Sequence, residues 1–145
     1  MASGAKIHKY EFLTDIYIER WNAKQRLSCP LLVAEIEASP NHAAEYHYEG
    51  DQRSDYLCDF VKLLYTSAPK RLFIACAPAH RLGSLETTLR RAVRESPRLE
   101  TFPDGPQLGV ILLPSALTQL GDTRIGTIGA GLLQFERLSE VSSTS

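Results

Sequence analysis

The sequence predicts an α/β fold in which a central mixed β-sheet is flanked by helices. Two strand-like segments rich in β-branched and aromatic residues come first, at 10–21 and 30–39. Short, continuous apolar runs follow at 71–77 and 108–113, and such runs are typical of parallel strands covered on both faces. Segments with helical periodicity separate these runs, and alternation of this kind favours an α/β sandwich.

The first two segments are expected to form an antiparallel pair. Residues 10–21 alternate in the way of a strand with one mainly apolar face, and residues 30–39 form a second strand. The polar connection at 22–28 gives a loop of about seven residues between them.

Two helices and the remaining strands follow in order. The first helix, at 52–67, has one apolar side made by Tyr56, Leu57, Phe60, Leu63 and Leu64. The second, at 84–95, has Ser84 as its expected N-cap. Residues 121–131 are glycine-rich, and the part at 126–131 is expected to be a turn or a flexible connection. Residues 132–138 are expected to form a last strand. The predicted order is therefore β-β-α-β-α-β, with one more strand after it.

The length and composition fit one domain. The chain has 145 residues, of which 43% are hydrophobic and 23% charged, and the segments at 1–9 and 139–145 are expected to be flexible. No apolar run approaches the ~18 residues of a membrane span, and residues 1–9 lack the core of a signal peptide. Three widely spaced cysteines argue against a disulfide framework. These observations predict a reduced, cytoplasmic protein without a membrane partner.

Charge is distributed unevenly along the chain. Residues 1–60 hold 6 Lys and Arg against 10 Asp and Glu, whereas residues 61–145 hold 10 against 7. Chance scatter explains this as well as an acidic site followed by a basic docking surface. The formal net charge of −1 argues against a protein that coats nucleic acid non-specifically.

The most informative motif is Glu35-Ile36-Glu37. Residues two apart on a strand point to one face, so Glu35 and Glu37 are expected to share a side with Leu31 and Val33. Burying two carboxylates is costly unless a cation neutralises them, and Mg²⁺ prefers carboxylate oxygens. Asp15, on the preceding strand, could project onto the same face in a suitable register. The alternative is that the end of this strand is solvated and binds no metal.

These acids, followed by a helix and a parallel strand, resemble the PD-(D/E)xK, or restriction-endonuclease-like, nuclease superfamily over roughly residues 10–77. The resemblance rests on Asp15, on Glu35-x-Glu37, and on the helix that carries Asp59-Phe-Val-Lys62-Leu-Leu. It implies a restriction-endonuclease-like sheet in which Asp15, Glu35 and Glu37 bind Mg²⁺ or Mn²⁺ and in which Glu35, Glu37 and a lysine are catalytic. Glu37 stands where the superfamily usually has that lysine, so Lys62 on the helix is the candidate for a displaced one.

Basic residues on the second helix complete this hypothesis. Arg90, Arg91 and Arg94 are expected to contact phosphate groups, since the guanidinium fork can bind two oxygens. A solvated helix face is the alternative for these arginines, and an ordinary surface ion pair of Lys62 with Asp59 is the alternative for the lysine.

Two further motifs carry less weight. His42, Glu45 and His47 could be gathered by a loop around a metal, but solvated loop residues are the simpler explanation. The glycines at 126–131 do not have the spacing of a dinucleotide-binding loop.

The sequence thus predicts a Mg²⁺-dependent nuclease that hydrolyses phosphodiester bonds of nucleic acid, most simply DNA, and that could act as a homodimer. The alternative is a non-catalytic assembly or regulatory module that keeps the fold without metal chemistry.

Overall fold

A computed structural model describes residues 14–22, 24, 27–38, 55–66, 68–96, 107–129 and 131–141. Within these residues the chain forms one mixed, six-stranded sheet in the order β1-β2-β3-β4-β5-β6. The strands are β1 (Ile16–Asn22), β2 (Leu27–Glu37), β3 (Lys70–Ala77), β4 (Gln107–Pro114), β5 (Arg124–Gly129) and β6 (Leu132–Arg137). The α-helices are α1 (Asp55–Tyr65), α2 (Leu82–Glu95) and the short α3 (Leu138–Val141). The predicted α/β class and mixed sheet are confirmed.

The strand directions follow from the connections. β1 and β2 are antiparallel, with Ile16 opposite Ala34 and a register shift between Ile18 and Glu19. β2, β3 and β4 are parallel, because α1 and then α2 carry the chain back between them. β5 and β6 extend the sheet in antiparallel pairings.

Both long helices pack on the same face of the sheet. α1 contacts β2 and β3, α2 contacts β4 and β6, and the two helices contact each other. The core lies between this face and the helices; from α1 it includes Tyr56, Leu57, Phe60, Leu63 and Leu64. These are the residues that the helical period places on the apolar side. The rings of Phe60 and Phe73 meet edge to face, with centroids 5.3 Å apart.

Several boundaries differ from the sequence prediction. β1 begins at Ile16, so the part of the predicted strand at 10–13 lies outside the described residues. The prediction that Ser84 caps α2 is wrong: the helix begins two residues earlier, directly after a short 3₁₀ helix, and Arg81 is its N-cap residue. The short helix α3 covers the start of the C-terminal segment predicted to be flexible.

The glycine-rich stretch is the largest difference. The prediction of a turn or connection at 126–131 is wrong for residues 126–129, which belong to β5 (Arg124–Gly129) between β4 and β6. The packing of Phe135 explains why residue 126 of this strand is a glycine. A Cβ built on Gly126 would lie 2.7 Å from Cε1 of Phe135 on β6, so the phenyl ring packs directly against the backbone of β5.

No helix in the described parts of the chain is long and apolar enough to cross a membrane.

Candidate active site between the second strand and the first helix

The strand β2 places a carboxylate inside the apolar layer beneath α1. Val33 and Glu35 point toward the helices and are 1% and 2% exposed, and Glu35 lies opposite Phe73 of β3. Glu37 is on the same side at the end of the strand and is half-buried. The shared face of Glu35 and Glu37 is as the strand period predicts, but the environment of Glu35 is apolar rather than solvated. A charge in this position requires a compensating partner.

Lys62 of α1 supplies that partner. Its Nζ lies 3.2 Å from Oε1 of Glu35 and 2.8 Å from Oδ1 of Asp59. The lysine is 27% exposed, so its ammonium reaches the carboxylate from the rim of the helix–sheet interface. The structure therefore brings Lys62 and Glu35 together, and the pair with Asp59 is one part of a three-residue charge cluster.

Oε1 of Glu35 is the buried oxygen that faces Lys62. Nζ lies at ion-pair distance from it, although the angle is not that of a well-directed hydrogen bond. The ammonium beside this oxygen favours the charged carboxylate and opposes the effect of burial.

The environment shifts both pKa values. Burial raises the pKa of Glu35 to about 6, and the charges of Asp59 and Asp15 act in the same direction, while the positive charge of Lys62 opposes them. For Lys62, burial favours the neutral amine, but the hydrogen bond and charge of Asp59, together with Glu35, outweigh it and raise the pKa. Lys62 therefore stays charged at neutral pH, and the Glu35 carboxyl titrates about one pH unit below neutral.

Asp15 lies next to Glu35 across the antiparallel pair. It precedes Ile16, which pairs with Ala34, and its Oδ2 accepts a hydrogen bond from the backbone N–H of Ile36 at 2.6 Å. This bond anchors the start of β1 to β2 and leaves the exposed carboxylate at the edge of the cluster. Asp15 therefore lies close enough to Glu35 for its charge to act on that carboxyl.

The described residues do not form a ready-made metal cage. No group of three or more His, Cys, Asp and Glu side chains among them is arranged to hold an ion. His42, Glu45 and His47 lie outside the described residues. Any ion at this position would therefore be held by few carboxylates.

The predicted phosphate-binding arginines lie elsewhere. Arg90 pairs with Glu86 at 2.6 Å and covers the ring of Phe135 on β6, and Arg91 pairs with Glu95 at 2.9 Å. Arg94 is exposed. Because β6 is four strand spacings from β2, Phe135 is separated from the strand that carries Glu35 by ~19 Å across the sheet. The structure does not bring Arg90 to the acidic cluster.

Two residues that matter for the site lacked a clear sequence signal. Asp59 is visible only as an i,i+3 partner of Lys62, a pattern common on helix surfaces. Arg71 is 2% exposed and donates hydrogen bonds to the carbonyl oxygens of Leu63, Leu64 and Ala68. It thereby fixes the C-terminal end of α1, the turn that carries Lys62. In the sequence Arg71 stands at the start of an apolar run and gives no sign of this role.

Comparison of the chain with protein-family models, with curated proteins and with solved structures finds no match.

Proposed function

We propose that the chain is a divalent-metal-dependent phosphodiesterase that acts on nucleic acid, with DNA as the first substrate to test. The observation that carries the proposal is the contact between a helix lysine and a buried strand glutamate. Lys62 reaches Glu35 to 3.2 Å, with Asp15 alongside on the neighbouring strand. Two acids on an antiparallel strand pair and a lysine from the following helix are the displaced-lysine arrangement that the nuclease resemblance implies.

The donor set suits Mg²⁺ or Mn²⁺ better than a softer metal. Asp15 and Glu35 offer carboxylate oxygens, one of which is buried beside the ammonium of Lys62. Mg²⁺ keeps several waters and is commonly held by one or two carboxylates plus the phosphates of its substrate. The scarcity of protein ligands is therefore compatible with an ion that binds together with nucleic acid. Glu37 is the candidate for a third, outer carboxylate.

Each residue has a distinct role in the proposed reaction. A bound divalent ion would activate water and stabilise negative charge on the phosphate. Asp15 and Glu35 would hold that ion. Lys62 is placed to donate a hydrogen bond to the attacking water or to a phosphate oxygen, and Asp59 keeps its ammonium charged and in position. Val33 and Phe73 exclude water from the inner side of Glu35, which strengthens these charge interactions.

A non-catalytic module is the second candidate, and one observation favours it. Lys62 already lies beside Glu35 and Asp59, so the cluster has a cation of its own without a metal. In that case the three residues join α1 to β2 and perform no chemistry.

Cleavage assays distinguish the two functions. Supercoiled plasmid and a labelled single-stranded oligonucleotide are incubated with Mg²⁺ or Mn²⁺ and the wild-type chain. The proposal predicts metal-dependent cleavage that Glu35→Gln and Lys62→Met each reduce by at least ~100-fold, the scale of a removed acid–base or charge-stabilising group. Lys70→Met and Glu136→Gln, which alter exposed side chains on β3 and β6, are the matched controls. Absence of cleavage with both substrates and both metals, in a folded protein, would favour the non-catalytic module.

A further inference from the structure

A groove lies at one edge of the sheet, between α2 and the edge strand β6. Its volume is about 380 Å³. It is lined by Thr87, Arg90 and Arg94 of α2 and by Leu132, Leu133 and Gln134 of β6.

The groove follows the backbone edge of β6. Leu132 and Leu133 are consecutive on a strand, so their side chains point to opposite faces of the sheet. The groove touches both residues and no described residue of β5, the strand that neighbours β6, so it lies beside the outer edge of β6. Within the described residues β6 pairs with β5 alone, so this edge presents backbone N–H and C=O groups that an added strand could bond.

The wall of the groove is basic. Arg90 and Arg124 share the carboxylate of Glu86, so these three side chains carry one net positive charge. Arg94 adds a second, and it is exposed with no acidic partner among the described residues. The residues Thr87, Arg90 and Arg94 recur every three or four positions and therefore form one side of α2. The charge is complementary to carboxylates projecting from a chain that lies on β6.

We infer that this groove binds an extended, acidic peptide segment of a protein partner by adding it as a strand to β6. Main-chain hydrogen bonds to the edge supply affinity, and alternate side chains of the peptide face α2, where the guanidinium groups select carboxylates. Apolar side chains of the peptide, on the face away from α2, meet Leu132, which is 47% exposed.

A peptide suits the groove better than nucleic acid. A sugar-phosphate chain cannot complete the hydrogen-bond ladder of a strand edge. Single-stranded nucleic acid also needs aromatic faces for its bases. The ring of Phe135 on β6 is covered by the guanidinium of Arg90, whose central carbon is 5.5 Å from the ring centroid. The inference is independent of the proposed cleavage chemistry, because β6 is ~19 Å across the sheet from β2, the strand that carries Glu35.

Peptide binding by fluorescence anisotropy tests the inference. The probes are a fluorescein-labelled octapeptide of alternating Glu and Val, the same peptide with Lys in place of Glu, and a labelled single-stranded DNA 20-mer, all without added metal. The Glu–Val peptide is expected to bind, the Lys–Val peptide is not, and Arg94→Ala is expected to weaken Glu–Val binding about tenfold, the scale of one lost charge-assisted hydrogen bond. Arg91→Ala is the matched control, since Arg91 is on the same helix, does not line the groove and pairs with Glu95.

Hydrogen exchange tests the mode of binding. The bound Glu–Val peptide should slow exchange of backbone amides in β6 and leave those of β1, the opposite edge of the sheet, unchanged. Three results would overturn the inference: no binding of the Glu–Val peptide at 1 mM, equal binding to the wild type and Arg94→Ala, or protection of β1 rather than β6. Displacement of the peptide by the DNA, with loss of DNA binding in Arg94→Ala, would assign the groove to nucleic acid instead.

Discussion

The substitution Glu35→Gln removes a buried charge while keeping the shape of the side chain. The carboxyl is 2% exposed, and its pKa is raised from 4.5 to about 6. A shift of this size corresponds to about 2 kcal/mol, the amount by which the folded state disfavours the charged form relative to the unfolded state. Glutamine does not carry this penalty, although Lys62 then loses one of its two carboxylate neighbours and retains Asp59.

The sign of the effect depends on pH. Because the folded pKa is raised, the folded state holds the proton more tightly, and this group's contribution to stability is fully present below about pH 4.5. As pH rises through the window from about 4.5 to 6, that contribution is lost. Glutamine does not titrate. The stability of Glu35→Gln relative to the wild type should therefore rise across this window and stay constant above it.

Urea denaturation at a series of pH values measures the difference. Glu35→Gln is expected to match the wild type at pH 4 and to be more stable by about 2 kcal/mol at pH 8, since the attraction of Lys62 is already included in the pKa of Glu35. For a domain of this size the gain raises Tm by ~2–4 °C per kcal/mol. A Glu35→Gln protein that is less stable than the wild type by 2 kcal/mol or more at pH 8 would refute the reasoning, because it would show that the ion pair stabilises the fold.

Two further predictions concern the scaffold. Arg71→Met leaves three carbonyl oxygens without their buried donor, so the free energy of unfolding measured in urea is expected to fall by about 3 kcal/mol. Arg91→Ala breaks an exposed ion pair and should change stability by less than ~1 kcal/mol. Equal effects of the two substitutions would contradict the role of Arg71. Gly126→Ala places a Cβ against Phe135 and should cost about 1–3 kcal/mol in thermal unfolding, while Gly121→Ala, with open space around it, should be within ~0.5 kcal/mol of the wild type. Full stability of Gly126→Ala would show that the ring can move away.

Parts of the fold could be read from the sequence because their signals are local. The helical period of α1 assigns its core side correctly, since Tyr56 through Leu64 meet the sheet at every third or fourth residue. The continuous apolar runs of β3 and β4 identify buried parallel strands for the same reason. β5 was missed because its glycines lower strand propensity, and only its pairing with β4 and β6 makes the segment a strand.

The site was predictable in composition but not in geometry. The strand period identifies Glu35 and Glu37 as neighbours on one face. Whether Lys62 reaches Glu35 depends on how α1 is rotated about its axis, which Arg71 and the apolar side of the helix fix through packing. The separation of Arg90 from Glu35 follows from β4, β5 and β6 lying beyond β3, and the strand order is not encoded in any local motif.

Mn²⁺ binding is the most direct test of the proposed metal site. Isothermal titration calorimetry is run on the wild type and on Glu35→Gln, which is expected to fold at least as well, so a lost signal cannot be attributed to unfolding. Each titration is repeated with an oligonucleotide present, because the ion would be held by few protein ligands. The account predicts binding to the wild type that Glu35→Gln weakens by at least ~10-fold, the loss of one charged ligand. No binding to the wild type under either condition, or equal binding to both proteins, would contradict it.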